Sequence, residues 1–259
     1  METIELQTAD GIARLTLNRP KVGNSMNLQF GEDFRAAAQQ IASDDSVRAI
    51  LLTGAGKLFC GGGDVAEFAA SDDTPGLIGT LLENLHAGIE TLAAQRAPLV
   101  VAVNGTAAGA GLSLAAAGDL VLAAESAKFA AAYTGIGLSP DGSMTWYLPQ
   151  LIGLRRTQEL MLTNRVLSAA EAADWGLVTR VVADAELAAE ADKLAARIAA
   201  GPTAAFGSVR KLLRASPVQP LVAQLADEAG EIVANAGRED GVEGIASFVE
   251  KRKPAFRGR

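Results

Sequence analysis

The chain has 259 residues, of which 49% are hydrophobic and 20% are charged, which predicts one large core with an appended region. Its formal net charge of −7 argues against general nucleic-acid binding, and its longest apolar runs are far shorter than the roughly 20 residues of a membrane span. Because it has one cysteine, one histidine and no signal-peptide pattern, we expect no disulfide framework, no metal and a cytoplasmic location.

The first half of the chain alternates strand and helix patterns. Residues 4–8 and 13–17 form a predicted hairpin whose turn contains Asp10-Gly11. Buried strands are predicted at 47–54, 98–105 and 119–125. Helices are predicted near 30–43, over about 20 residues that follow the glycines at 61–63 and end near Arg96, and at 111–118. Strand and helix in alternation predict an α/β fold with crossover connections.

The second half is predicted to become mostly helical. Residues 168–171 read SAAE, a capping box that opens a helix, and 178–182 form a short strand. After Gly201 only helical patterns follow, with breaks at 216–220 and near Gly237. We therefore predict a core over residues 1–200 and a C-terminal helical region, which we expect to serve oligomerisation, over 201–259.

Two glycine-rich loops, at 54–68 and 104–115, each follow a predicted buried strand. Neither contains a complete P-loop or dinucleotide fingerprint, because the required glycines and Ser/Thr are missing. Such loops leave backbone N–H groups free beside a helix start, and two of them side by side can direct one N–H each at the same oxygen. One such loop more often only permits tight packing, but two in the same context favour a shared oxyanion site.

A serine-hydrolase pattern is an alternative interpretation of the second loop. GLSLA places Ser113 in a near match to the G-x-S-x-G nucleophile elbow, with Ala115 in place of the last glycine. The only available histidine base is His86, whose surroundings predict a helix residue with a structural or solvent role.

Five segments in chain order, between residues 18 and 256, resemble the enoyl-CoA hydratase/isomerase (crotonase) superfamily. They are NRPKVGNSM (18–26), FCGGGDVAEF (59–68), PLVVAVNGTAAGAGLSLAAAGDLVLA (98–123), LTNRVLSAAEAADWGLVTRVV (162–182) and FVEKRKPAF (248–256). The resemblance, nearest to the phenylacetate-pathway ring-epoxide and enoyl-CoA isomerase branch, implies a spiral of ββα units with a C-terminal helical region. It also implies a homotrimer or a pair of trimers, an acyl-CoA substrate that brings its own coenzyme A, and no separate cofactor.

The same resemblance assigns site residues. The thioester carbonyl would lie between the backbone N–H groups of Gly63 and Ala110. The further substrate contacts it implies are Arg19, Lys21, Val22, Gly61, Asp64, Gly109 and Tyr133, with Phe248 and Lys251 supplied by a neighbouring subunit. A lysine that hydratases often carry two residues after the position of Asp64 is replaced here by Ala66.

The largest departure from the hydratase pattern concerns catalysis. The two glutamates of typical hydratases fall at Ser113 and Tyr133, so both carboxylates are absent. Some family members carry their working carboxylate at the aspartate of SPDGS (139–143), here Asp141, although Pro-Asp-Gly is also ordinary turn chemistry. We expect apolar neighbours to desolvate Asp141 and raise its pKa; they are Ile136, Leu138, Met144 and Trp146.

One carboxylate suits a 1,3-proton shift better than the addition of water. The resemblance therefore favours an isomerase that converts 3-enoyl-CoA to 2-enoyl-CoA or rearranges ring-1,2-epoxyphenylacetyl-CoA. An enoyl-CoA hydratase, an enzyme with an aspartate nucleophile as in dehalogenation, the serine hydrolase and a non-catalytic acyl-CoA-binding protein remain alternatives.

Overall fold

The computed structural model describes residues 1–259 and contains nine strands and eleven α-helices. The strands are β1 (Ile4–Ala9), β2 (Ile12–Leu17), β3 (Ala49–Gly54), β4 (Leu99–Val103), β5 (Ala107–Ala108), β6 (Leu120–Ala124), β7 (Lys128–Ala130), β8 (Val166–Ser168) and β9 (Arg180–Val182). The helices are α1 (Leu28–Ser43), α2 (Val65–Ala70), α3 (Thr74–Ala93), α4 (Ala110–Ala116), α5 (Met144–Ile152), α6 (Leu154–Thr163), α7 (Ala169–Trp175), α8 (Leu187–Ala199), α9 (Thr203–Ala215), α10 (Leu221–Ala236) and α11 (Glu239–Val249). None of the helices combines the length and hydrophobicity needed to cross a bilayer.

The main sheet has six strands in the order β1-β2-β3-β4-β6-β9. Its only antiparallel pair is the hairpin β1-β2, where Asp10 and Gly11 both have positive φ and make a two-residue turn. The other pairs are parallel, and β3 and β4 are buried on both faces, which explains their continuous apolar sequences. The predicted α/β fold is confirmed.

A second sheet has three short strands in the order β5-β7-β8, and α4 begins directly after β5. Cys60 forms an isolated parallel bridge to Ala107 in β5. The loop after β3 therefore runs beside the loop after β4, and the two glycine-rich segments meet at this edge.

The helix of about 20 residues predicted to end near Arg96 corresponds to α3, which has 20 residues, whereas the short α2 before it was not predicted. Asp73 caps the start of α3, because its side chain accepts a hydrogen bond from Gly76 N–H, and Pro75 favours a helix start. The sequence analysis also missed α5 and α6, where Pro149 lies inside α5 and Gly153, at φ 79°, separates the two.

The C-terminal region contacts the core but leaves much apolar surface exposed. Arg48 donates hydrogen bonds to the carbonyl oxygens of Gly201 and Phe256, at 2.7 and 3.1 Å. By contrast, α10 contains no buried residue. The boundary predicted near residue 200 stays a prediction.

Candidate active site

A cavity of about 290 Å³ lies where the two glycine-rich loops meet α2, α3 and the segment 132–141. Six of the predicted site residues line it together: Gly61, Gly63, Gly109, Ala110, Tyr133 and Asp141. Most of the remaining wall is aliphatic, and Asp141 is its only charged side chain. The cavity therefore suits an uncharged acyl group with one carboxylate beside it.

Backbone pairing holds the two glycine-rich loops together. Cys60 accepts a hydrogen bond from Ala108 N–H through its carbonyl oxygen at 2.9 Å. A Cβ on Gly62 would approach the carbonyl oxygen of Ala108 to 2.9 Å, and one on Gly111 would approach that of Cys60 to 2.3 Å. Glycine is required at Gly111 because any side chain there would separate the loops.

The N–H groups of Gly63 and Ala110 donate to no protein acceptor. Their neighbours are engaged: Asp64 N–H donates to Met26 O at 2.9 Å and Gly109 N–H donates to Ala130 O at 3.1 Å. Ala110 is the first residue of α4, where helical N–H groups have no partner within the helix. Two free donors thus border one cavity, as a site that stabilises an oxyanion requires.

Three side chains from separate elements hold the loop that carries Asp141. Tyr133 donates its hydroxyl proton to Asp141 Oδ1 at 2.6 Å, and Ser113 Oγ donates to the Asp141 carbonyl oxygen at 2.8 Å. Gly142 N–H donates to Nε2 of His86, on α3, at 3.3 Å. The turn predicted at SPDGS is therefore anchored from three sides.

Opposing influences act on the Asp141 carboxyl. Burial raises its pKa above the ordinary value, while the Tyr133 hydrogen bond acts to lower it, and a positive charge on His86 would act in the same direction. The pKa of Tyr133 is raised well above its usual range, first by burial and then by the Asp141 charge, so this side chain stays protonated and remains a donor. A raised carboxyl pKa brings Asp141 closer to the range in which a general base works well.

The apolar surroundings of Asp141 differ in part from those predicted. Ile136 and Leu138 line the cavity as expected. Met144 is completely buried, and Trp146 lines a different cavity of about 390 Å³ next to α9, so the prediction for Trp146 is wrong. The reason is that α5 begins at Met144, so Trp146, two residues later, lies about 200° around the helix from Met144.

The surroundings of Ser113 do not suit the nucleophile of a serine hydrolase. Its side chain is fully buried, and its hydroxyl proton is donated to the Asp141 carbonyl oxygen. The Nε2 atom of His86 accepts from Gly142 N–H and has no hydrogen bond with Ser113. A serine nucleophile needs a base within hydrogen-bond reach, so the structure gives this alternative no support.

Arg19 and Asp64 lie behind the oxyanion loop as an ion pair. Arg19 Nη1 contacts Asp64 Oδ2 at 2.9 Å and also donates to the carbonyl oxygen of Ser25 at 2.5 Å. Burial alone would raise the pKa of Asp64, but hydrogen bonds from Arg19 and from Glu67 N–H lower it. Neither residue lines the cavity, and their contacts connect the segment after β2 with the start of α2.

The other predicted coenzyme A contacts lie on the surface. Lys21 and Val22 form an exposed 3-10 turn after β2. Phe248, with 86% of its surface exposed, and Lys251 lie at the end of α11 and do not line this chain's cavity. Their contribution from a neighbouring subunit stays a prediction.

Asn24 supports the site and was missed in the sequence analysis. It is fully buried at φ 56°, and its Nδ2 donates to the carbonyl oxygens of Ala55, Leu58 and Phe59 at 2.9, 2.8 and 3.0 Å. Asparagine tolerates this left-handed conformation better than most residues, which is the one available signal. Its partners follow only from the tertiary arrangement.

The family model of enoyl-CoA hydratase/isomerase matches residues 7–259. The chain belongs to the enoyl-CoA hydratase/isomerase family. A probable enoyl-CoA hydratase of Rhodobacter capsulatus is 40% identical to it over 99% of this chain and 98% of the relative. The 1,2-epoxyphenylacetyl-CoA isomerase of Escherichia coli is 38% identical over 100% of both chains.

Solved structures agree with this membership. The crystal structure of an enoyl-CoA hydratase from a Polaromonas species matches with a TM-score of 0.93 and 32% identity, covering 98% of this chain and 99% of that one. The family and the fold predicted from the five segments are confirmed. This enoyl-CoA hydratase/isomerase is accordingly an enzyme. The assignment of the Gly63 and Ala110 N–H groups to the thioester oxygen stays a prediction.

Proposed function

We propose that this enzyme is a CoA-thioester isomerase with Asp141 as its acid/base. Its substrate is a 3-enoyl-CoA, converted to the 2-enoyl-CoA, or the ring-1,2-epoxide of phenylacetyl-CoA. The observation that carries the proposal is that Asp141 is the only carboxylate in the cavity that also contains the free N–H groups of Gly63 and Ala110.

The proton shift follows from this arrangement. The thioester oxygen accepts hydrogen bonds from Gly63 and Ala110 N–H, and Asp141 removes a proton from C2. The electron pair of that C–H bond forms the C1–C2 double bond of a dienolate, whose negative charge rests on the thioester oxygen. The C3–C4 π pair then takes the proton back from Asp141 at C4, the C2–C3 double bond forms and the carbonyl is restored.

Hydration is the second candidate, and the site supports it less. Addition of water requires one group to activate the water and another to protonate C2. Ser113 and Tyr133, at the positions of the hydratase glutamates, are neutral hydroxyls whose protons are both donated to Asp141. No second carboxylate lines the cavity.

A substrate comparison tests the proposal. With a 3-enoyl-CoA we expect conjugated 2-enoyl-CoA to accumulate, seen as rising thioester absorbance and a product of unchanged mass. The enzyme should not hydrate 2-enoyl-CoA. Incubation with ring-1,2-epoxyphenylacetyl-CoA tests the second proposed substrate. A product heavier by one water from 2-enoyl-CoA, with no double-bond shift, would instead establish a hydratase.

We also propose that the chain assembles as a trimer or a pair of trimers through its C-terminal helices. Large apolar side chains are exposed there at Val218, Leu221, Val222, Ile232, Val233, Ile245, Phe248 and Val249. Exposed apolar surface on this scale is typical of an interface.

Light scattering should give three or six times the chain mass of 26.6 kDa. Val222→Asp should dissociate the assembly, since Val222 is 81% exposed on α10, and Val166→Asp, at an exposed valine of β8, is the matched control. A wild-type protein that stays monomeric at micromolar concentration would rule the assembly out.

A further inference from the structure

The hydroxyl of Tyr133 makes the shortest side-chain contact to Asp141, at 2.6 Å from Oδ1. We infer that Tyr133 is a positioning residue: it holds Oδ1, favours the ionised form of the partly buried carboxylate and leaves Oδ2 to exchange protons with the acyl chain. The catalytic consequence rests on the proposed function, whereas the effect on the carboxyl group itself does not.

The hydroxyl groups of Tyr133 and Ser113 each donate one hydrogen bond to a different atom of Asp141. Tyr133 has one proton, given to Asp141 Oδ1, and Ser113 has one, given to the Asp141 carbonyl oxygen at 2.8 Å. The 3.4 Å approach between the Ser113 and Tyr133 oxygens therefore has no proton left to share. The two residues act on different parts of Asp141: Ser113 holds its backbone and Tyr133 holds its carboxyl group.

Few groups offset the desolvation of this carboxylate. Burial favours the protonated form, and the titratable groups that act in the other direction are Tyr133, from the 3-10 turn Tyr133–Ile136, and His86, from α3. The remaining contact, from α4, is the uncharged Ser113. Tyr133 is the only one of these whose proton is hydrogen-bonded to the carboxylate itself. Loss of that bond should weaken the ionised form most.

The geometry also selects which oxygen reacts. Oδ1 is occupied by Tyr133, while Oδ2 accepts no hydrogen bond from the protein, and both side chains line the acyl cavity. A single free oxygen can remove the proton from C2 and return it to C4 on the same face of the chain. A rotated carboxyl group would lose this alignment, so Tyr133 also fixes its orientation.

The test compares Tyr133→Phe with two controls. Tyr147→Phe makes the same change at a partly buried tyrosine that lines the other cavity, and Ser113→Ala removes the backbone contact while leaving the carboxyl contact. The Asp141 carboxyl is titrated without substrate by carbon NMR on aspartate-labelled protein, with Asp141→Asn assigning its signal. The pH dependence of kcat/KM is measured on the same variants.

In Tyr133→Phe the Asp141 titration and the acid limb of kcat/KM should both move upward by about one to two pH units, because a hydrogen bond to a charged group is lost. Both should stay in place in Tyr147→Phe and Ser113→Ala. An unmoved titration in Tyr133→Phe, or an equal shift in Ser113→Ala, would overturn the inference. A wild-type enzyme with no isomerase activity but with the expected titrations would contradict the proposed function alone.

Discussion

Replacing Asp141 with Asn should lower kcat on a 3-enoyl-CoA by about 10²- to 10⁴-fold, the range expected when a general acid/base is removed. Asparagine has nearly the same shape and can still accept the Tyr133 hydrogen bond at Oδ1, but it cannot take a proton from C2. Substrate binding should therefore change little. The measurement is steady-state kcat and KM, with binding of the unreactive variant followed by calorimetry.

Asp72→Asn, in the exposed turn between α2 and α3, is the matched control and should keep wild-type turnover. The Asp141 variant should also unfold at the same temperature as the wild type or higher. Because the folded-state pKa of Asp141 is raised, its ionised form is disfavoured by folding, and its contribution to stability falls as pH rises through that pKa. Full isomerase activity in Asp141→Asn would disprove its assignment as acid/base.

Replacing Ala110 with Pro should lower kcat/KM by about 10²- to 10³-fold, the effect of removing one oxyanion donor. Proline lacks the N–H, and Ala110 is the first residue of α4, where proline is compatible with a helix start. The preceding Gly109, at φ 54° and ψ −129°, has a backbone open only to glycine and needs no change. The substitution therefore removes the donor while the helix is kept.

Ala110→Gly is the control for this variant, because it changes the side chain and retains the N–H. It should keep activity within a few-fold of the wild type, and circular dichroism should show that both variants are folded. Near-normal turnover in a folded Ala110→Pro variant would show that this N–H does not contact the thioester oxygen.

Local sequence patterns were sufficient for the framework of the site. Apolar runs predicted β3, β4 and β6, because a strand buried on both faces has no polar side to alternate with. Asp10-Gly11 predicted a tight hairpin, because both residues tolerate positive φ. The sequence analysis considered what the two glycine-rich loops could do side by side, and in the structure Cys60 of the first loop pairs with Ala107 of the second.

Where the patterns failed, the cause was either a local helix start or a set of long-range contacts. The short α2, capped by Asp64, was not predicted, and Trp146 faces another cavity because α5 begins at Met144. Asn24 looked like an ordinary loop residue, although it holds three carbonyl groups more than 30 positions away. The spacing of residues along the chain does not predict contacts between such distant positions.

Asp141 shows most clearly which properties of the site follow from the sequence and which depend on the tertiary structure. The sequence by itself determined the family, the two glycine-rich loops and the absence of both hydratase glutamates, because these depend on residue identity and order. Only the tertiary structure decided that Ser113, Tyr133 and His86 all converge on the Asp141 loop, from 28, 8 and 56 positions away. Hydrogen bonds form between groups within about 3 Å whatever their separation in sequence, so the environment of this carboxylate exists only in the folded chain.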